Sequence, residues 1–90
     1  MDMRKLMMQA QAMQGKLEKF KKEEFTFLSN DKLIEIVMTG DREIISLNIQ
    51  KLLQELEDDY EMISDMLKVA LNDALKTIDK KEKAIAGNLK

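Results

Sequence analysis

The chain has 90 residues, of which 36% are charged and 44% hydrophobic, and its net charge is −2. This length predicts one small domain over residues 1–90, and the composition is that of a globular protein. The absence of Cys excludes disulfides, thiolate chemistry and zinc–sulfur sites. No apolar run approaches the roughly 20 residues of a membrane helix, and no secretory signal pattern opens the chain. We therefore expect a cytoplasmic protein without membrane contact.

The first element in chain order is a helix predicted over residues 3–22. Its apolar residues recur with a spacing of 3-4-3-4-3, which is typical of a helix that lies along another helix. They are Met3, Leu6, Ala10, Met13, Leu17 and Phe20.

The period of the apolar residues changes to two in the middle of the chain. This pattern predicts three short strands, with turns at residues 29–31 and 39–42, and thus an antiparallel meander. Ile34, Ile36 and Met38 share one face of the second strand. The opposite face of the sheet also carries apolar residues, which are Leu28, Leu33, Val37 and Ile44. Because one helical layer covers only one face, we expect a partner subunit.

A second long helix is predicted after a short connecting segment, residues 50–56. Asp58 and Asp59 are suitable caps for its start, and apolar residues recur from Ile63 to Ile78. Gly87 and Asn88 are the predicted stop. The sequence therefore predicts an α+β fold with the order α-β-β-β-α.

The charges are sorted along the chain. Residues 1–22 have a net charge of +4, residues 23–65 of −9, and residues 66–90 of +3. If the two long helices pack antiparallel, Arg4 and Lys5 approach residues 80–83 at the end far from the sheet. Lys76, Lys80 and Lys83 share one helix face. The pattern indicates a basic patch for a polyanion, and a merely solvated helix face is the alternative.

Two segments of the chain resemble the YbaB/EbfC nucleoid-associated proteins of bacteria. The first is residues 8–16, Met-Gln-Ala-Gln-Ala-Met-Gln-Gly-Lys. The second is the acidic helix start at residues 57–65, Glu-Asp-Asp-Tyr-Glu-Met-Ile-Ser-Asp, continued by Val-Ala-Leu-Asn-Asp-Ala-Leu at residues 69–75. The lengths of the strands between them also agree, so the resemblance extends over nearly the whole chain.

This resemblance implies a tweezers-like homodimer that binds double-stranded DNA in the cytoplasm and helps to organise the nucleoid or to adjust gene expression. No helix-turn-helix or zinc finger is visible, so phosphate contacts of low sequence specificity are expected. The rival hypothesis is a dimeric protein-interaction scaffold without direct DNA binding, which the net negative charge favours. The candidate DNA-binding residues are Arg4, Lys5, Lys16, Lys76, Lys80, Lys81 and Lys83.

Other functions find little support in the residue types present. Because the chain has neither His nor Cys and no Gly-rich phosphate loop, we expect no enzyme, no cofactor and no small-molecule substrate. Asp58, Asp59 and Glu61 are interpreted as helix caps rather than as metal ligands. The glutamines of the first helix are either contacts to bases or phosphates or helix surface. The eight methionines indicate either a binding groove or, for Met3, Met13 and Met66 at seam spacing, core residues.

Overall fold

The computed structural model describes residues 2–87 and has the predicted α+β order. Helix α1 (Met3–Lys22) leads into an antiparallel sheet with the strand order β1-β2-β3. The strands are β1 (Glu24–Leu28), β2 (Glu35–Thr39) and β3 (Ile44–Asn48), and helices α2 (Gln50–Leu56) and α3 (Tyr60–Gly87) follow. The segment expected to be a plain connection is therefore helical, and its Leu52 is fully buried.

Side-chain caps define where both long helices begin. The Asp2 carboxylate accepts a hydrogen bond of 3.0 Å from the backbone N–H of Arg4. At the start of α3, the Asp59 carboxylate accepts one of 3.2 Å from the N–H of Met62. The predicted acidic cap is confirmed, because an Asp at this position satisfies an N–H that has no partner within the helix. Asn88, half of the predicted stop, lies outside the described residues.

A β-bulge on β3 corrects the prediction of two apolar sheet faces. Val37 pairs with Ser46, but Met38 pairs with Ile44, so Ile45 is an extra residue in the ladder. One inserted residue reverses the alternation and puts Ile44 on the same face as Met38. The opposite face is consequently mostly polar, with Thr26 and Ser46 beside Val37 in the central row. The apolar residues of the sheet that stay exposed are Leu28 of β1 and those of β3, which no helix covers.

The protein is elongated, because its two long helices overlap only in part. Its extents are 63 × 19 × 16 Å, and its radius of gyration is 17.8 Å, whereas a compact chain of this length would have about 12 Å. The core lies where α3 crosses the sheet and includes Ile36, Met38 and Ile78. Residues 2–12 are all exposed. The first half of α1 therefore projects beyond the core.

The junction between α1 and the β2–β3 turn is closely packed. The N–H of Gly40 donates a hydrogen bond of 3.0 Å to the carbonyl oxygen of Glu23. A β-carbon at Gly40 would overlap the carbonyl oxygen of Phe20 and come within 2.8 Å of its carbonyl carbon. Gly40 does not have a positive φ, and in this turn it is Arg42 that does. Glycine is thus required at residue 40 because the helix end lies against it.

Candidate nucleic-acid interface

Three lysines form a stripe along the outer face of α3. Lys76, Lys80 and Lys83 lie within about 60° of one another around the helix axis and span roughly 10 Å along it. All three are exposed. By the same helical geometry they lie opposite Ala74 and Ile78, which are buried in the core. The folding of α3 onto the sheet therefore turns this lysine stripe toward solvent.

Arg42 on the β2–β3 turn neutralises the acidic residues that interrupt the lysines of α3. Its guanidinium lies 3.5 Å from the Asp79 carboxylate and 3.3 Å from that of Glu82. Asp79 also pairs with Lys83 at 3.1 Å, one helical turn away. Residues 76–83 carry four lysines and two carboxylates, and Arg42 adds a fifth positive charge. We call Arg42 together with Lys76, Lys80, Lys81 and Lys83 the α3 basic cluster, and the region they share has a net charge of +3.

Lys81 lies about 100–160° around the α3 axis from the three stripe lysines, on the side that faces the last turn of α1. Its ammonium lies 5.4 Å from the centre of the Phe25 ring, within the range of a cation–π contact. The Phe25 ring in turn lies 5.4 Å from that of Phe20, the buried residue at the end of α1. Three more basic residues occupy that turn, namely Lys19, Lys21 and Lys22. The last turn of α1 and the α3 basic cluster therefore lie at the same level of the molecule.

The prediction that Arg4 and Lys5 approach residues 80–83 was wrong. Arg4 precedes Phe20 by sixteen residues, which is about 24 Å along the helix axis. Arg4 and Lys5 therefore lie on the projecting half of α1, away from Lys80, Lys81 and Lys83. Lys16 is also on α1 and exposed, between these two regions. The prediction failed because it assumed that α3 leaves the sheet at its start, whereas α3 first crosses the sheet.

The acidic part of the molecule lies at the other end of α3. Asp65 and Met66 border the same groove as the β1–β2 turn residues Ser29 and Asp31. The acidic residues that surround the start of α3 thus lie beyond the sheet, away from α1. They are Glu55, Glu57, Asp58, Asp59 and Glu61. These acidic residues therefore lie toward one end of the long axis.

Sequence reasoning missed the contribution of Arg42. It was assigned only to a turn, and its partners Asp79 and Glu82 follow 37 and 40 residues later in the chain. No local spacing rule connects residues so far apart. The available signal was the spacing of Asp79 and Glu82, two carboxylates three residues apart among the lysines of α3. Two such carboxylates close together favour a cation nearby.

The described part of the chain offers neither a metal site nor a membrane span. In residues 2–87, no group of three or more His, Cys, Asp or Glu side chains is arranged to hold a metal ion. No helix in this range is sufficiently long and apolar to cross a membrane.

By its fold and charge pattern, this protein is an elongated α+β protein with a basic helix face. Residues 1–90 match the model of the YbaB/EbfC DNA-binding family over their whole length. The chain belongs to this family, so the resemblance found in the sequence is confirmed. The family is one of DNA-binding proteins, and its name describes no catalysed reaction.

Curated relatives agree with this assignment, and a solved structure has a similar fold. The chain is 40% identical to the nucleoid-associated protein MYPE8070 of Malacoplasma penetrans, over 97% of this chain and 96% of that protein. It is 38% identical to a nucleoid-associated protein of Streptococcus sanguinis, over 99% of this chain and 97% of the relative. The fold is similar to the crystal structure of the uncharacterized protein HP0035 from Helicobacter pylori. That structure has a TM-score of 0.72 and 28% identity over 94% of this chain and 99% of the other.

Proposed function

We propose that this protein is a nucleoid-associated protein that binds double-stranded DNA as a homodimer, mainly through phosphate contacts. The observation that supports this most is the lysine stripe Lys76, Lys80 and Lys83, which faces solvent opposite the core. The family and the names of the relatives support DNA as the ligand. Binding would occur in the cytoplasm at the nucleoid and would influence its organisation and the expression of genes there.

The dimensions of the stripe suit a DNA backbone. It extends for roughly 10 Å along α3, and a strand of duplex DNA has one phosphate per 3.4 Å of its axis. About three phosphates of one strand therefore fall within the length of three lysines. Arg42 supports the same role, since it reduces the repulsion that Asp79 and Glu82 would exert on those phosphates.

Low sequence specificity follows from the kinds of side chain present. Lysine on a helix surface contacts phosphates as a point charge and carries no sequence information by itself. Of the four aromatic residues of the chain, only Tyr60 lies in α3, at its acidic start, so the lysine stripe has no neighbouring platform for stacking of unpaired bases. Duplex DNA is thus the better ligand, and its sequence should matter little.

The exposed apolar residues of β3 support a dimer. Ile44, Ile45 and Leu47 are 41–50% exposed on an edge strand. Such an edge has unpaired backbone groups beside apolar side chains, and a second copy could cover both. A sheet-to-sheet dimer would leave the lysine stripe on α3 free, because that stripe points away from the sheet.

A mobility-shift titration tests the proposed function. The protein is first shown to be a dimer by light scattering, against a chain mass of 10.5 kDa. At about 50 mM salt we expect it to shift duplexes of unrelated sequence with similar affinities, because phosphate contacts dominate. Undetectable binding by the verified dimer would contradict the proposal. Recovery of a tight protein partner that survives nuclease treatment would favour the scaffold hypothesis instead.

A further inference from the structure

The other end of the molecule has a groove that the lysine stripe does not use. It lies between β1 and the first half of α3 and has a volume of about 520 Å³. Phe27, Leu28, Met66 and Val69 provide much of its apolar lining. Val69 is 57% exposed and Leu28 is 53% exposed, so the groove opens to solvent along apolar side chains. A partner that covers it must therefore bring apolar groups of its own.

The charges around this groove are all negative. Asp31, Asp65 and Asp73 border it, and none of the described residues that border it is basic. Hydrogen bonds donated by the Ser29 hydroxyl and by the Leu33 N–H hold the pKa of Asp31 below its ordinary value of 3.8. Asp31 therefore remains ionised at neutral pH. The groove repels DNA and attracts a ligand that is both apolar and cationic.

The projecting half of α1 has the complementary surface. Its apolar seam continues past the core but lacks a partner there, since Leu6 is 49% exposed and Met7 is 61% exposed. Residues 3–12 include two basic residues, Arg4 and Lys5, and no acidic one. This segment is an amphipathic, positively charged helix of about three turns, the form of ligand that lies in an apolar groove.

We propose that the projecting half of α1 of one copy docks into the β1–α3 groove of a second copy. Met3, Leu6 and Met7 would cover the apolar lining, while Arg4 and Lys5 would lie near the groove carboxylates. The helix and the groove are different surfaces, since the groove is lined by β1, β2 and residues 65–77 of α3 and not by α1. Unless two copies engage each other reciprocally, this contact continues from copy to copy and builds a linear assembly. It differs from the sheet interface and does not depend on DNA.

The absence of Cys allows a direct test by disulfide formation between two single-Cys variants. Met7→Cys protein, with its thiol activated as a mixed disulfide, is combined with Val69→Cys protein without DNA. Both positions are exposed, so the substitutions leave the core untouched. We expect this pair to cross-link at least tenfold faster than Met7→Cys with Gln54→Cys, an exposed control position on α2. Equal rates for the two pairs would overturn the proposal.

A charge exchange gives a second readout of the same contact. Arg4→Glu with Lys5→Glu, added to the Met7→Cys protein, should slow the cross-link to Val69→Cys about tenfold. The Val69→Cys protein is then given Asp65→Lys and Asp73→Lys. With the Met7→Cys protein that carries the two Glu substitutions, it should cross-link at the original rate. An unchanged rate in the first step, or no recovery in the second, would contradict the docking. Because no DNA is present, failure here leaves the proposed DNA binding untouched.

Discussion

We expect the salt dependence of DNA binding to fall when Gln replaces Lys76, Lys80 and Lys83 together. Each phosphate contact contributes about 0.9 to the slope of log K against log salt concentration. Loss of three contacts should reduce that slope by about three for each protomer that touches the duplex. Glutamine keeps the helix propensity close to that of lysine, so α3 should remain intact. Mobility-shift titrations between 50 and 200 mM salt, about the range in which such losses are largest, measure the slope.

The matched control removes the same three charges elsewhere on the surface. Lys32→Asn, Lys51→Gln and Lys68→Gln alter exposed residues outside the α3 basic cluster. Asn is chosen at residue 32 because the backbone there has a φ of 64°, which Asn tolerates well. We expect this control to change the slope far less than the stripe variant does. Equal effects of both triple variants would mean that only overall charge matters, and no effect of either would move the contact to α1.

Gly40→Ala is expected to destabilise the protein by about 3 kcal/mol, at the upper end of the usual cost of overpacking. The added methyl group would overlap the carbonyl group of Phe20, and a backbone group cannot rotate away as a side chain can. The end of α1 would have to separate from the β2–β3 turn and weaken the Gly40–Glu23 hydrogen bond. Urea denaturation at a fixed protein concentration, which a dimer requires, measures the loss.

Gly15→Ala makes the identical chemical change with the opposite expected result. A β-carbon at Gly15 has no heavy atom within 4 Å, and the residue lies inside α1. Alanine in a helix interior is favoured over glycine by up to ~1 kcal/mol, so this variant should be more stable than the parent. If Gly40→Ala left the free energy of unfolding unchanged or raised it, the close packing of Gly40 against α1 would be contradicted.

Local patterns predicted the elements of this fold, because each depends on neighbours in sequence. The spacing of apolar residues predicted where α1 begins and ends, and the acidic residues near Asp59 predicted where α3 begins. The bulge at Ile45 has no local signature, since an extra residue is tolerated wherever the sheet must twist or bend. The alternation of Ile44 and Ile45 alone therefore led to the wrong face.

For the candidate interface, the sequence predicted which lysines share a helix face but not where that face lies in the molecule. Helical spacing alone was enough to predict the shared face of Lys76, Lys80 and Lys83. The position of that face along the molecule depends on how far α3 travels over the sheet before it reaches α1. That distance is set by the packing of residues such as Ala74 and Ile78 on β2, which sequence spacing does not contain. For the same reason, the predicted proximity of Arg4 and Lys5 to residues 80–83 was wrong.

The most direct test of the account is an NMR titration of the ¹⁵N-labelled protein with a short DNA duplex. If the α3 basic cluster contacts phosphates, the amide signals of residues 76–83 and of Arg42 should shift most. Signals of the acidic residues 55–61, at the far end of α3, should stay in place. Shifts concentrated at the acidic end, or a complete absence of shifts in residues 76–83 under conditions where DNA binds, would contradict the account.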